Sequence, residues 1–194
     1  GGFVSQNKGR VFDQGAGEKK PWYIHDHCIV KGPDNRWHQF GITHQVEIVP
    51  LPDALTPLNF HSTKLAQFDG KWRLIMPANL DQKVAILTLD GTVDFILSRP
   101  EFEAYAAAET LYRPTDTVVV GDTLFVADGY GANHILSSNL TTKRWTDIFG
   151  GKTENPAEDG KFGTAHGIGL NPIHSRLDIA DRPHGRIQAH GTDG

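Results

Sequence analysis

Ten histidines in 194 residues are the chemical hint in this chain, and four of them fall in two kinds of place. His25, Asp26 and His27 form a dense cluster inside "PWYIHDHCIV". His61 and His166 instead open comparable stretches, "HSTKLAQF" and "HGIGLNPI", with Thr115 of "TDTVVVGD" in the matching place between them. Histidine nitrogens at fixed separation suit a metal. A catalytic zinc site takes about three protein ligands and keeps an open position for water. The metal then polarises an oxygen or acidifies bound water without a titrating side chain. Cys28 is the sole cysteine, so cysteine-based zinc binding and an internal disulfide are both excluded within the chain. Strand alternation would put His25 and His27 on one face and Asp26 on the other. Facing a channel, the two histidines are an alternative ligand pair, and Asp26 an alternative carboxylate. A solvated edge strand is the third reading of that cluster.

The elements that must position these residues read as short strands between turns. Runs at 71–76, 84–89, 117–120, 123–127 and 177–180 are strand-like. Asp69-Gly70, Asp90-Gly91 and Gly121-Asp122 are hairpin signals. The stretch "RPEFEAYAAAETL", 99–111, predicts a short helix or a connecting loop. The segment 149–163, "FGGKTENPAEDGKFG", predicts a long surface loop. With 21 glycines and 11 prolines the composition is turn-rich.

The strands recur in register. Three units run polar pivot, strand, turn, strand, loop, strand, with His61, Thr115 and His166 as pivots. The loops "PANLDQKV", "ADGYGANHI" and "ADRPHGRI" fall at the same place in each. A period of about 50 residues with several strands per unit predicts propeller blades. The expected fold is therefore all-β, one propeller domain over 1–194. About four blade equivalents are expected, at 1–50, 55–98, 112–150 and 162–194, as part of a six-bladed ring. In a propeller the first residues of each inner strand point into one axial channel, so His61 and His166 would face each other across it. Their other reading is as channel-lining polar residues held by water and backbone groups. An incomplete ring leaves open strand edges, which invite completion by a second copy of the chain.

Charge and hydropathy exclude two partner classes. The net charge of −4 carries no nucleic-acid footprint. No window approaches the ~18 consecutive apolar residues of a membrane span. The opening Gly1-Gly2-Phe3 carries no signal-peptide pattern, and no compartment is legible.

The segments "TDTVVVGDTLFVADGYGANHIL" and "AHGIGLNPIHSRLDIADRPHGRIQ" resemble NHL-repeat β-propellers. Within that group they look most like peptidyl-α-hydroxyglycine amidating lyase, a zinc enzyme that cleaves its substrate to a peptide amide and glyoxylate. The resemblance covers about residues 55–194. It implies zinc on His61 and His166 and a catalytic Tyr130 in the "DGY" loop, with room for a structural calcium. A phenol beside a metal can be acidified enough to act as a base; the other role for Tyr130 is aromatic packing in a blade loop. The family's third histidine would lie beyond Gly194. Its catalytic arginine would fall near Arg10, whose flanks "NKGRVF" depart from the pattern. Asp128 and Asp181 read as turn caps, with Arg182 and Arg186 as their partners or as blade-edge residues.

Two other functions remain open at this level. One is a non-catalytic NHL-type scaffold that binds a peptide, protein or sugar. The other is a glycosidase-like hydrolase using Asp26, because 20–44 resembles a first blade of the five-bladed propeller glycosidases.

Overall fold

A computed structural model describes Leu55 and residues 58–192 in full, and the backbone of two strands before them. The chain divides into two compact units, Gly1–Ile48 and Val49–Gly194. In the first, β1 (Ile24–Lys31) and β2 (Trp37–Thr43) pair antiparallel as a hairpin. The register shifts between His25 and His27, so the regular ladder is interrupted at Asp26.

The second unit is a series of antiparallel meanders. The first sheet holds β3 (Lys64–Phe68), β4 (Lys71–Ala78), β5 (Lys83–Thr88) and β6 (Val93–Leu97). The second holds β7 (Asp116–Val120), β8 (Thr123–Ala127), β9 (His134–Asn139) and β10 (Arg144–Gly150). The third holds β11 (Ala165–Asn171), β12 (Arg176–Asp181) and β13 (Arg186–His190). The fold is all-β, with sheets built like propeller blades. No closed ring is seen among the described residues. Nor is any helix among them long and apolar enough to cross a membrane.

Side-chain alternation explains the stacking of the sheets. On β8, Leu124 and Val126 pack with Ile75, Val84, Ile86 and Leu97 of the first sheet. Their neighbours Phe125 and Ala127 point the other way, onto Ile168, Leu177 and Ile179 of the third. Residues 124–127, "LFVA", are apolar at every position because both faces of the strand are covered. On β5, Val84 and Ile86 face the second sheet while Ala85 and Leu87 pack with Leu55 on the opposite side. Each such Ile or Leu contributes about 1.5–3 kcal/mol by leaving water. The first strand of the middle sheet, β7, packs against both β3 and β11. Three strand starts are thereby brought to one place.

The turns follow the expected chemistry. Asp69 and Gly70 both take positive φ, 49° and 66°, which is the two-residue hairpin geometry that favours Asp-Gly. The stretch 99–111 forms only one 3-10 turn, Glu103–Tyr105. Its alanines do not propagate a helix because Arg99 Nη2 gathers the carbonyls of Tyr105, Ala107 and Thr110 at 2.7–2.9 Å. Tyr105 and Tyr112 are instead buried against Leu136, with Trp145 alongside.

Candidate functional site

Three rings converge where the strand starts meet. The ring centres of His61, Tyr130 and His166 form a triangle with every side 5.2 Å. His61 lies three residues before β3, and its backbone N–H donates to Pro77 O at 2.8 Å, which extends the first sheet to the pivot. His166 is the second residue of β11. Tyr130 stands in the turn between β8 and β9.

Each ring is fixed by a specific contact. His61 Nδ1 lies 2.8 Å from Thr115 O. A carbonyl only accepts, so Nδ1 carries the proton and a neutral His61 presents the Nε2 lone pair. The Tyr130 hydroxyl lies 2.9 Å from His166 Nε2. The same oxygen accepts from Arg182 Nη1 at 3.3 Å, and the Arg182 guanidinium lies over the tyrosine ring, 5.5 Å from its centre. Oxygen that accepts from Arg182 still has its own proton to donate towards His166.

The loop that carries Tyr130 is held from beneath by Asp128. This carboxylate is wholly buried. It accepts from Tyr105 Oη at 2.7 Å, from Ala132 N at 2.7 Å and from the Arg113 amide. Burial pushes its pKa up to about 6, against the opposing pull of these hydrogen bonds. Tyr105 is pushed far above the ordinary phenol range by burial and by Asp128, so it stays a donor. Gly129 is required for close approach. A Cβ there would lie 2.4 Å from Ala165 O and 2.7 Å from Thr115 Oγ1.

Asp181 ends β12 as Asp128 follows β8, and it too is wholly buried. It accepts from Gly163 N, Arg186 Nε and His184 Nδ1, each at 2.9 Å. Burial acts to raise its pKa, yet the bonds from Arg186, His184 and the backbone amides outweigh it, and the net shift is downward. Arg186 is thus the aspartate partner expected of it. Arg182 is not: it reaches Tyr130. The available sequence signal was positional, since Arg182 follows Asp181 as Gly129 follows Asp128, at the end of the blades where the pivots lie. His134, His184 and His190 are partly buried. His134 Nδ1 meets Phe149 O at 3.3 Å, and His190 packs against Phe149 and Phe162.

A tetrahedral zinc bound at about 2.0–2.1 Å to two imidazole nitrogens sets the ring centres about 5 Å apart. The His61–His166 separation of 5.2 Å fits that pair. Among the described residues no group of three or more His, Cys, Asp or Glu assembles, so the pair would provide two of the usual three donors. Arg10 lies outside the described residues, as do the side chains of His25, Asp26 and His27. A groove of about 430 Å³ runs from His166 past Arg182 and Arg186 to Ile187.

No family model matches the chain. It is 35% identical over 86 residues to peptidyl-glycine alpha-amidating monooxygenase of Mus musculus, and equally to the Rattus norvegicus protein. The match takes in 42% of this chain and 8% of each relative, so the chain spans a small part of their length. Among solved structures, the tail fibre of a Staphylococcus aureus phage aligns over 79% of this chain and 36% of its own, at TM-score 0.40 and 12% identity. A protein assigned as a 6-phosphogluconolactonase, from Bacteroides uniformis, aligns over 64% of this chain and 40% of its own, at TM-score 0.32 and 15% identity. At these TM-scores the likenesses carry no argument about function. The chain is similar over part of its length to the amidating monooxygenases.

Proposed function

We propose that the chain is a metal-dependent lyase that cleaves the C–N bond of a peptidyl-α-hydroxyglycine. The observation that carries this reading is the convergence of His61, His166 and Tyr130 at equal 5.2 Å spacing, with Arg182 on the tyrosine hydroxyl. The partial similarity to peptidyl-glycine alpha-amidating monooxygenases supports it. His61 Nε2 and His166 would hold zinc, which when bound supplies a Lewis acid that polarises a substrate oxygen.

The chain's own groups do the rest. Tyr130, once its own hydroxyl proton has passed to solvent, takes the proton of the substrate α-hydroxyl. The electrons of that O–H bond form the C=O of glyoxylate. The Cα–N bond breaks with its electron pair on nitrogen, which gains a proton and leaves as the peptide amide. Arg182 Nη1, 3.3 Å from the Tyr130 oxygen, orients that oxygen for the transfer. The groove beside His166 gives an anionic substrate end a place next to the Arg182 guanidinium.

The test is zinc content and glyoxylate release from the full chain on a peptidyl-α-hydroxyglycine. The wild type is expected to hold close to one zinc per chain and to release glyoxylate. The His61→Ala, His166→Ala double variant is expected to lose both while staying folded. A folded wild type that takes up no zinc overturns the reading and leaves the propeller scaffold as the better one.

A further inference from the structure

We infer that Asp116 is the positioning residue of this site, a carboxylate that ties the His61 segment to the His166 segment and so sets the spacing of the two imidazoles. The metal part of this inference rests on the lyase reading; the positioning part does not. Asp116 opens β7, the strand between those two segments, and its side chain is only 14% exposed. Oδ1 accepts from Ser62 Oγ at 3.3 Å and pairs with Lys64 Nζ at 3.2 Å. Oδ2 accepts from Ile168 N at 3.1 Å. Ser62 is the residue after His61, and Ile168 is two residues after His166. One carboxylate therefore grips both histidine-bearing segments.

The neighbouring residue completes the arrangement. Thr115, just before Asp116, receives His61 Nδ1 on its carbonyl. Its buried hydroxyl faces Ala127 O at 3.2 Å and Ala165 O at 3.4 Å. The pair Thr115-Asp116 thus touches 61–64 on one side and 165–168 on the other. In the third sheet the position after the pivot is Gly167, and a Cβ there would lie 3.8 Å from Asp116 Oδ2. At that distance an added methyl would be in ordinary contact with the carboxylate, which reaches past Gly167 to the Ile168 amide. That amide would otherwise face the open edge of β11. Groups that orient metal-binding histidines typically change metal affinity about 10–100-fold when removed.

A second carboxylate provides the control. Asp94 also joins two sheets, taking Arg73 Nε at 2.7 Å and Lys143 Nζ at 3.2 Å, but it does so away from the histidines. An ordinary inter-sheet tie should behave like Asp94. The experiment records imidazole nitrogen resonances of the metal-free full chain by NMR, then zinc affinity by competition with a chelator. In the wild type His61 is expected in one tautomer, protonated at Nδ1. Asp116→Ala is expected to shift the His61 and His166 signals, to average the His61 tautomers, and to weaken zinc at least about 10-fold. Asp116→Asn keeps an acceptor for Ile168 N and is expected to restore much of both. Asp94→Ala is expected to lower the melting temperature and leave both readouts unchanged. Should Asp116→Ala not fold, the Ser62→Ala, Lys64→Met double variant frees the carboxylate on one side only and is read in the same way. Unmoved imidazole signals in a folded Asp116 or Ser62/Lys64 variant overturn the inference. A wild type without zinc affinity would sink the lyase reading alone, because the metal-free signals still decide the role of Asp116.

Discussion

Asp128 makes the stability of this chain pH-dependent in a direction opposite to most carboxylates. Its pKa rises from the ordinary 3.8 to about 6 in the folded state, chiefly through burial. Between those values the folded chain binds more protons than the unfolded one, so stability falls as pH rises. The contribution is fully present below about pH 4 and is lost once pH passes about 6. A shift of about two units at about 1.4 kcal/mol each amounts to about 3 kcal/mol. Other carboxylates act oppositely, so the effect is isolated by comparison with Asp128→Asn, which does not titrate. Asn offers one acceptor oxygen where Asp offers two. Either the Arg113 or the Ala132 amide then loses its partner, at a cost of about 1–3 kcal/mol that does not vary with pH. Urea denaturation from pH 4 to pH 8 measures the difference. The variant is expected to be less stable at pH 4 and to gain about 3 kcal/mol on the wild type by pH 8. A difference constant within about 0.5 kcal/mol, or one of opposite slope, would show that the hydrogen bonds outweigh burial and refute the reasoning.

Three further substitutions probe close approach and burial. Gly129→Ala pushes a methyl to 2.4 Å from the Ala165 carbonyl and is expected to cost about 1–3 kcal/mol in thermal unfolding; Gly70→Ala, with open space but φ +66°, should cost only about 1 kcal/mol. His190 Nε2 is buried without a hydrogen-bond partner, and burial lowers the ring's pKa. Its contribution is present above the ordinary value of 6.5 and is lost as pH falls through the lower folded value. His190→Phe should therefore raise the melting temperature, more at pH 5.5 than at pH 8, and an equal shift at both would refute the burial argument.

The fold was legible because the buried pattern is local. "TLFVA" and "KVAILT" are apolar at successive positions, and the structure uses both faces of each strand. Turn residues were equally plain, since Asp69-Gly70 needs two positive φ angles that few pairs tolerate. The repeat located the pivots His61, Thr115 and His166, and the structure brings two of their side chains and Tyr130 together. Arg182 was less legible. Its contact with Tyr130 crosses from the third sheet to the second, between residues separated by 52 positions, and no spacing rule reports such a contact. Of the two forms expected over 99–111, a short helix or a connecting loop, the chain takes the loop, with one 3-10 turn. Alanine propensity is worth less than about 1 kcal/mol per residue, and one arginine holding three carbonyls overrides it.

Asp128 and Asp181 show what kind of information a repeat carries and what it does not. Both stand at the end of a second strand, and both accept backbone amides, as turn-capping aspartates should. The shared position sets the shared hydrogen bonds. Charge state depends on what lies beyond them. Behind Asp128 are two tyrosines, Tyr105 and Tyr112, which add burial but no positive charge, and its pKa rises. Beside Asp181 are Arg186 and His184, and its pKa falls. A buried carboxylate without a cation becomes costly when ionised, whereas one with a guanidinium partner becomes costly when protonated. Acid should therefore loosen the Asp181 loop, which carries Arg182, while base loosens the Asp128 loop, which carries Tyr130. The Tyr130–Arg182 contact joins those two loops, so the pH range in which both are firmly held is bounded on each side by a different aspartate.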